Sequence, residues 1–256
     1  MNNSVAIITG ASHGIGRSTA IRLAQDFSSL VLVARNGDEL NAVADEVRQN
    51  GAEPLTIALD LSQLASPETV IKTTLARFGR IDALLNIAGA VPQIDLFEMS
   101  DDQWNAEMEL KLHGARRLTL RAWDALKQST GSVVFMSGSA ALDPKPAFAV
   151  VAATNAAIIA LAKAFAEQGI KDGVQVNSIV PGAVMTDRRR SFLTKWAPAH
   201  NMSVEEATKK FPEETGISRY GQPDEIAGLL AFMVSSGAKW MTGTSVRMDG
   251  GEVKGI

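Results

Sequence analysis

The chain has no cysteine, so neither a disulfide framework nor a thiolate metal site is open to it. Its three histidines are scattered, without the close spacing of a zinc site, and no metal is expected. Tyrosine is nearly missing: Tyr220 is the one residue of its type. Positive charge is not in excess either, since 25 Lys and Arg stand against 28 Asp and Glu. That balance excludes the basic field on which nucleic-acid binding depends, and the run Arg188-Arg189-Arg190 is too short to alter it. The N-terminus shows no charged leader followed by a long apolar run, and no segment approaches the roughly 18 apolar residues needed to span a bilayer. A cytoplasmic protein without a membrane or nucleic-acid partner is the expectation.

What is present is a regular alternation. In 256 residues, 46% of them hydrophobic, short β-branched runs alternate with longer amphipathic segments, the pattern of βα units on a parallel sheet. Strands are expected at 5–9, 30–34, 55–59, 83–86, 132–136, 174–179 and 245–248. Helices are expected at 16–27, 38–50, 68–78, 101–127, 148–168 and 224–234, the last opened by Pro223 with Asp224 and Glu225 in its first turn. Seven strands suit a single doubly wound α/β domain covering residues 1–256. The helix at 148–168 carries apolar residues around most of its circumference. Burial in the core and packing between the sheet and a second subunit both account for it. Segment 187–218 reads as one long irregular stretch with a short helix at 204–210, and a loop of that length is usually functional.

After the first strand comes Gly10-Ala11-Ser12-His13-Gly14-Ile15-Gly16, leading into a helix. Glycines there allow a tight turn and close approach to a pyrophosphate, which the free amides and dipole of a helix N-terminus attract. The three-residue gap between the first two glycines resembles the short-chain dehydrogenase/reductase family. Further segments resemble that family in order: Asp60-Leu61, Asn86-Ile87-Ala88-Gly89 with Ile87 departing, Pro181-Gly182-Ala183-Val184-Met185-Thr186, Arg219-Tyr220-Gly221-Gln222-Pro223-Asp224-Glu225, and Asp249-Gly250-Gly251. They span essentially the whole chain. The resemblance implies a Rossmann-type seven-stranded parallel sheet, with a dinucleotide across the strand C-termini. It places adenine near Asp60 and Leu61 and the nicotinamide carboxamide near Val184 and Thr186. The cofactor-site candidates are therefore Gly10, Ser12, His13, Gly14, Ile15, Gly16, Arg35, Asp60, Leu61, Asn86, Ala88, Gly89, Pro181, Gly182, Val184 and Thr186. The second strand ends Val33-Ala34-Arg35 rather than in an acid. A guanidinium at Arg35, assisted by His13, favours a 2′-phosphate and hence NADP(H) over NAD(H). A solvated Arg35 and an exposed loop His13 are the alternatives.

The family's chemistry uses an Asn, a Ser, a Tyr and a Lys. By resemblance of the flanking segments these positions fall on Lys111, Gly138, Val151 and Asn155, so all four are substituted. No Tyr-x-x-x-Lys occurs anywhere, and 138–155 holds no tyrosine. Ser137 and Ser139 flank Gly138, so a local shift restores a hydroxyl there. Lys111 and Asn155 look like an exchange of the family's Asn and Lys. An inward Lys111 binds an anion or serves as an acid once burial lowers its pKa; an outward one is merely solvated. His113, two residues along the helix, points elsewhere, toward a surface or interface role. The catalytic candidates are Lys111, Asn155 and Ser139. Two functions stand: a divergent NADP(H)-dependent oxidoreductase on a carbonyl or alcohol with a non-standard proton donor, or an inactive dinucleotide-binding protein acting as a sensor or partner subunit. A scaffold without ligand leaves the glycine turn unexplained. Segment 187–218 matches the family's substrate lid in length and position. Its Arg188, Arg189, Arg190, Lys195 and His200 suggest an anionic small-molecule substrate, or a solvated charged face. Resemblance also implies a homo-oligomer, a tetramer built on helices 101–127 and 148–168.

Overall fold

Residues 3–255 are described by the computed structural model. Seven parallel strands form one sheet in the order β3-β2-β1-β4-β5-β6-β7. They are β1 Val5–Thr9, β2 Ser29–Ala34, β3 Glu53–Ala58, β4 Ala83–Asn86, β5 Ser132–Met136, β6 Gln175–Pro181 and β7 Ser245–Met248. The inner strands are buried along their length because helices cover both faces, whereas β7 at the edge alternates between exposed and half-buried. Side chains alternate across the sheet, and so Ile8 joins the core on one face and Ile7 the core on the other. Burying an aliphatic side chain of this size is worth about 1.5–3 kcal/mol relative to exposure.

On the Ile8 face lie α1 Gly14–Leu23, α2 Gly37–Gln49 and α9 Pro223–Val234; on the Ile7 face lie α3 Ser66–Phe78, α5 Gly114–Ser129 and α6 Ala149–Asp172. Strand order reverses between β1 and β4, since β1 pairs β2 on one side and β4 on the other. At such a switch point the loops leaving the strand C-termini diverge and open a crevice. The doubly wound architecture is the expected one, and β1, β4, β5 and β7 have the expected ends.

Four expectations need correction. Segment 187–218 is not irregular: α7 Asp187–Ala199 and α8 Val204–Thr215 fill most of it, around a small core of Met185, Leu193, Ala197, Ala207, Ile217 and Tyr220. Pro198 reads as a breaker but lies in the last turn of α7, where the helix is ending in any case. Thr186 caps α7, and a Ser203/Glu206 capping box starts α8. The helix expected at 101–127 is interrupted: α4 Asp101–Glu107 and α5 flank a π turn, Met108–His113. Helix α6 is longer than expected, and within the chain it is covered on one side, so it is not fully buried in the core; Val150, Val151, Thr154, Asn155, Ile158 and Ala162 are buried, while Ala153, Ala156, Ala160 and Ala164 are exposed. The helical stretch Pro146–Asp172 reaches a mean hydropathy of 1.8, so one segment is, against expectation, long and apolar enough to cross a membrane. Its buried face packs on β5 and β6.

Candidate functional site

The crevice is built from main chain at one end. Thr9, the last residue of β1, accepts the amides of Ile87 and Ala88 on its hydroxyl, at 2.9 and 3.0 Å, and donates to Leu85 O. This ties the glycine turn to the loop after β4. The approach is close enough that a Cβ on Gly10, which has φ +68°, would lie 3.1 Å from Ala88 Cα. A Cβ on Gly16 would sit 2.0 Å from Gly10 O, which no side chain tolerates. Helix α1 starts with His13 as N-cap, without a side-chain cap bond and without an acid in its first turn. Its free amides and positive end therefore face the crevice, the condition for holding a phosphate.

The cleft has a volume of about 1050 Å³. Fifteen of the sixteen cofactor-site candidates line it, from Gly10, Ser12, His13, Gly14, Ile15, Gly16 and Arg35 through Asp60, Leu61, Ala88 and Gly89 to Pro181, Gly182, Val184 and Thr186. Asn86 does not. It is buried beneath the floor, where its amide donates to Thr119 Oγ1 at 3.1 Å, because the end of β4 points that side chain into the helix layer. Arg35 is exposed at the rim and makes no hydrogen bond or ion pair among the described residues. His13 Nδ1 is 2.8 Å from Ser12 Oγ and 3.8 Å from the Glu39 carboxylate, which also lines the cleft. A carboxylate there opposes the two basic groups, a feature the sequence reading missed. Asp60 spends one oxygen on its own turn, accepting Ser62 N at 2.9 Å.

The other end of the cleft is held by side chains. Lys111 is 6% exposed, and its Nζ donates to Asn155 Oδ1 at 2.6 Å. The exchanged pair thus meets across α6 and the π turn. Gly138 belongs to the same unit, since a Cβ on it would stand 2.9 Å from Asn155 Nδ2. The missing side chain at 138 is what admits the Asn155 amide. Gly89 similarly admits the Lys111 stem, whose Cδ would be 3.0 Å from a Cβ there. Ser137 is spent elsewhere, donating to Asn155 O at 2.9 Å. Val151 lines the cleft as an apolar wall.

Burial pulls the Lys111 ammonium down to about 8; Glu107, one turn earlier on α4, offsets part of that pull, and Arg188 adds to it. Glu107 is itself buried, with Oε1 lacking a partner, and burial pushes its carboxyl up. His113 is half-buried and does not line the cleft. The lone tyrosine is also off the cleft: Tyr220 is buried against the Phe211 ring at 5.6 Å, its hydroxyl without a partner.

Of the five basic residues singled out in 187–218, namely Arg188, Arg189, Arg190, Lys195 and His200, the structure brings two to the cleft. Arg188 donates to Gly89 O at 3.1 Å, joining α7 to the loop after β4. The Arg189 guanidinium lies 5.2 to 5.8 Å from the ring centres of Phe192, Phe211 and Tyr220. Arg190 and Lys195 do not line the cleft, Arg190 lining instead a smaller pocket beside Gly14 and Thr186, and His200 stacks on Trp196 at 3.9 Å. Ser139 donates to a residue that sequence reasoning did not find, Glu252, at 3.3 Å. Nothing in the pattern around Asp249-Gly250-Gly251 signals that the next side chain turns inward.

Residues 10–252 match the family model described as enoyl-(acyl carrier protein) reductase, and the chain belongs to that family, within the short-chain dehydrogenases/reductases. Among curated relatives, a 3-oxoacyl-[acyl-carrier-protein] reductase of Synechocystis sp. is 32% identical over 252 residues, 97% of this chain and 96% of that protein. An uncharacterised oxidoreductase of Bacillus subtilis, YvaG, is 27% identical over all of this chain and 98% of its own. Among solved structures, the L-sorbose reductase of Gluconobacter frateurii, complexed with NADPH and L-sorbose, has a TM-score of 0.96 at 27% identity, covering 100% of this chain and 98% of that one. An actinorhodin polyketide ketoreductase variant with NADPH has a TM-score of 0.93 at 27% identity, covering 99% and 98%.

Proposed function

We infer that the chain is an NADP(H)-dependent oxidoreductase for a carbonyl or alcohol substrate, with Lys111 as the proton donor in place of the family's tyrosine. One observation carries the reading: a buried ammonium with a pKa of about 8, fixed on Asn155 at the base of the cleft. The residues present fit a dinucleotide, through the glycine cradle, the uncapped start of α1 and the unpaired Arg35 guanidinium. NADPH is present in the sorbose reductase and ketoreductase structures to which the chain is similar. Arg35 favours the 2′-phosphate, while Glu39 tempers that preference.

Bound NADP(H) supplies or accepts the hydride. Lys111 holds the proton that the substrate oxygen needs, Asn155 fixes the ammonium, and Val151 keeps that wall of the cleft free of water. Below about pH 8 Lys111 is charged and suited to reduction; above it, the neutral amine accepts a proton and suits alcohol oxidation. In this reading residues 1–256 act as one unit, and α7 with α8 forms the lid over the substrate. The exposed alanine face of α6 supports association into a homotetramer.

The second reading, a dinucleotide-binding protein without turnover, is favoured by Val151, which leaves no hydroxyl acid at the tyrosine's position. Fluorescence titration with NADPH and NADH, followed by a carbonyl and alcohol panel at high protein concentration, separates the two. Saturable NADPH binding with turnover is the expected result. Binding without turnover on any compound establishes the second reading, and no binding of either dinucleotide removes both.

A further inference from the structure

Glu252 follows the turn after β7, which Asp249 fixes by accepting the amides of Gly251 at 3.0 Å and Val253 at 2.9 Å. Its carboxylate oxygens have separate tasks. Oε2 accepts the amide of Ala183 at 2.8 Å, and Oε1 accepts the Ser139 hydroxyl at 3.3 Å. Gly182 makes the arrangement possible, because a Cβ there would lie 2.6 Å from Oε2. Glu252 and Ser139 both line the cleft, as do Phe192 and Phe211 of α7 and α8.

The hydrogen inventory of this corner is one-sided. Ser139 has a single hydroxyl hydrogen and directs it to Glu252, so its oxygen offers lone pairs to the cleft. An ionised carboxylate has no hydrogen to offer. Neither Ser139 nor Glu252 offers a ketone oxygen a donor, whereas a hydroxyl hydrogen finds in Glu252 a charged acceptor, the stronger kind of hydrogen bond. We propose that Glu252 and Ser139 form a subsite for a substrate hydroxyl and that, on the oxidoreductase reading above, the compound reduced in the cleft is a hydroxyketone and the product a diol. Bound NADPH would supply the hydride to the carbonyl carbon, while Lys111 would give its proton to the oxygen and regain one from solvent. Ser139 is then a substrate-binding residue rather than a proton donor.

The charged and titratable neighbours of Glu252 are Asp249 in the same turn, Arg189 on α7 and Tyr220 before α9. Burial, aided by Asp249, pushes its carboxyl up, while the Ala183 amide, Ser139 and Arg189 oppose the shift. Protonation gives the corner a donor, so the preference for a hydroxyl fades toward acid.

Two ketones of equal heavy-atom count test the subsite: α-hydroxyacetophenone and propiophenone, which differ by a hydroxyl in place of a methyl. Calorimetry on the NADPH-loaded protein gives affinities, and steady-state kinetics gives kcat/KM. The wild-type chain is expected to prefer the hydroxyketone about 10- to 100-fold in both. Glu252→Gln, which turns an amide donor toward Ser139, brings the ratio to within about threefold. Ser139→Ala lowers it in the same direction and carries the test should the first variant fail to fold. Equal binding by the wild-type protein, an unchanged ratio in Glu252→Gln, or binding of neither ketone overturns the proposal. Discrimination in affinity without turnover upholds the subsite and removes the oxidoreductase reading; turnover of both ketones without discrimination does the reverse.

Discussion

The two ends of the cleft are built from different materials. In the Gly10–Gly16 turn the contacts available to a ligand are main-chain amides, and the residues that shape them are those with no side chain, Arg35 and His13 standing at the rim. At the Lys111 end a network of side chains fills the same crevice, and each member is shaped to the others: Gly89 to Lys111, Lys111 to Asn155, Asn155 to Gly138. A backbone site tolerates almost no substitution but is indifferent to its neighbours' chemistry. A side-chain site can change, provided that several positions change together.

The largest expected effect breaks the backbone end. Gly16→Val places carbon against Gly10 O and should weaken dinucleotide binding by about 100-fold or more, read by fluorescence titration. It should leave the side-chain network, and hence the subsite at Glu252, in place. Next comes the side-chain end. Lys111→Met should lower kcat/KM for reduction by roughly 10²–10⁴-fold, the usual worth of positioned acid catalysis, with dinucleotide affinity changed far less.

The pH profile sharpens the same point. Reduction should fall as pH rises through about 8, because the acid form of Lys111 is lost there. Glu107→Gln removes the charge that holds the ammonium up, so the break should move to lower pH; a profile that stays in place excludes Lys111 as the titrating group.

Smaller effects test the interlocking. Gly138→Ser restores a family residue, yet should reduce turnover by about tenfold, since its Cβ displaces the Asn155 amide. A gain of activity would show that the positions act singly. Arg35→Ala should weaken NADPH by about tenfold and NADH little, and Glu39→Gln should shift selectivity a few-fold the other way, toward NADPH. Equal loss of both dinucleotides in Arg35→Ala would sink the selectivity argument.

The same contrast explains what could be read in advance. Alternating β-branched runs locate strands, and an intolerant glycine turn advertises itself, so the sheet and the residues around Gly10, Gly14 and Gly16 were legible. Side-chain direction was not. That Asn86 points under the floor depends on where β4 ends, and that Glu252 turns inward depends on a turn closed by Asp249. The two lid helices hid behind Pro198, whose place in a last turn no local pattern announces. Lys111 and Asn155 could be suspected as a pair, but their 2.6 Å contact requires two elements 44 residues apart.

The π turn at Met108–His113 makes chain length, as well as residue identity, a determinant of the chemistry. It holds one residue more than a regular turn would. Deleting a single residue between Glu107 and Gly114 would restore the ordinary pitch with α4 and α5 still in phase, so the change would be confined to which way the side chains of the turn itself face. Gly114 lies close against Leu61, where a Cβ would come within 3.0 Å of its carbonyl oxygen, so α5 has little room to yield. The change in facing would fall on the turn that carries Lys111, with no side chain of the cleft replaced. On the oxidoreductase reading, a one-residue change in the length of this turn is therefore a change in where the proposed proton donor stands, available to evolution or design in a single step.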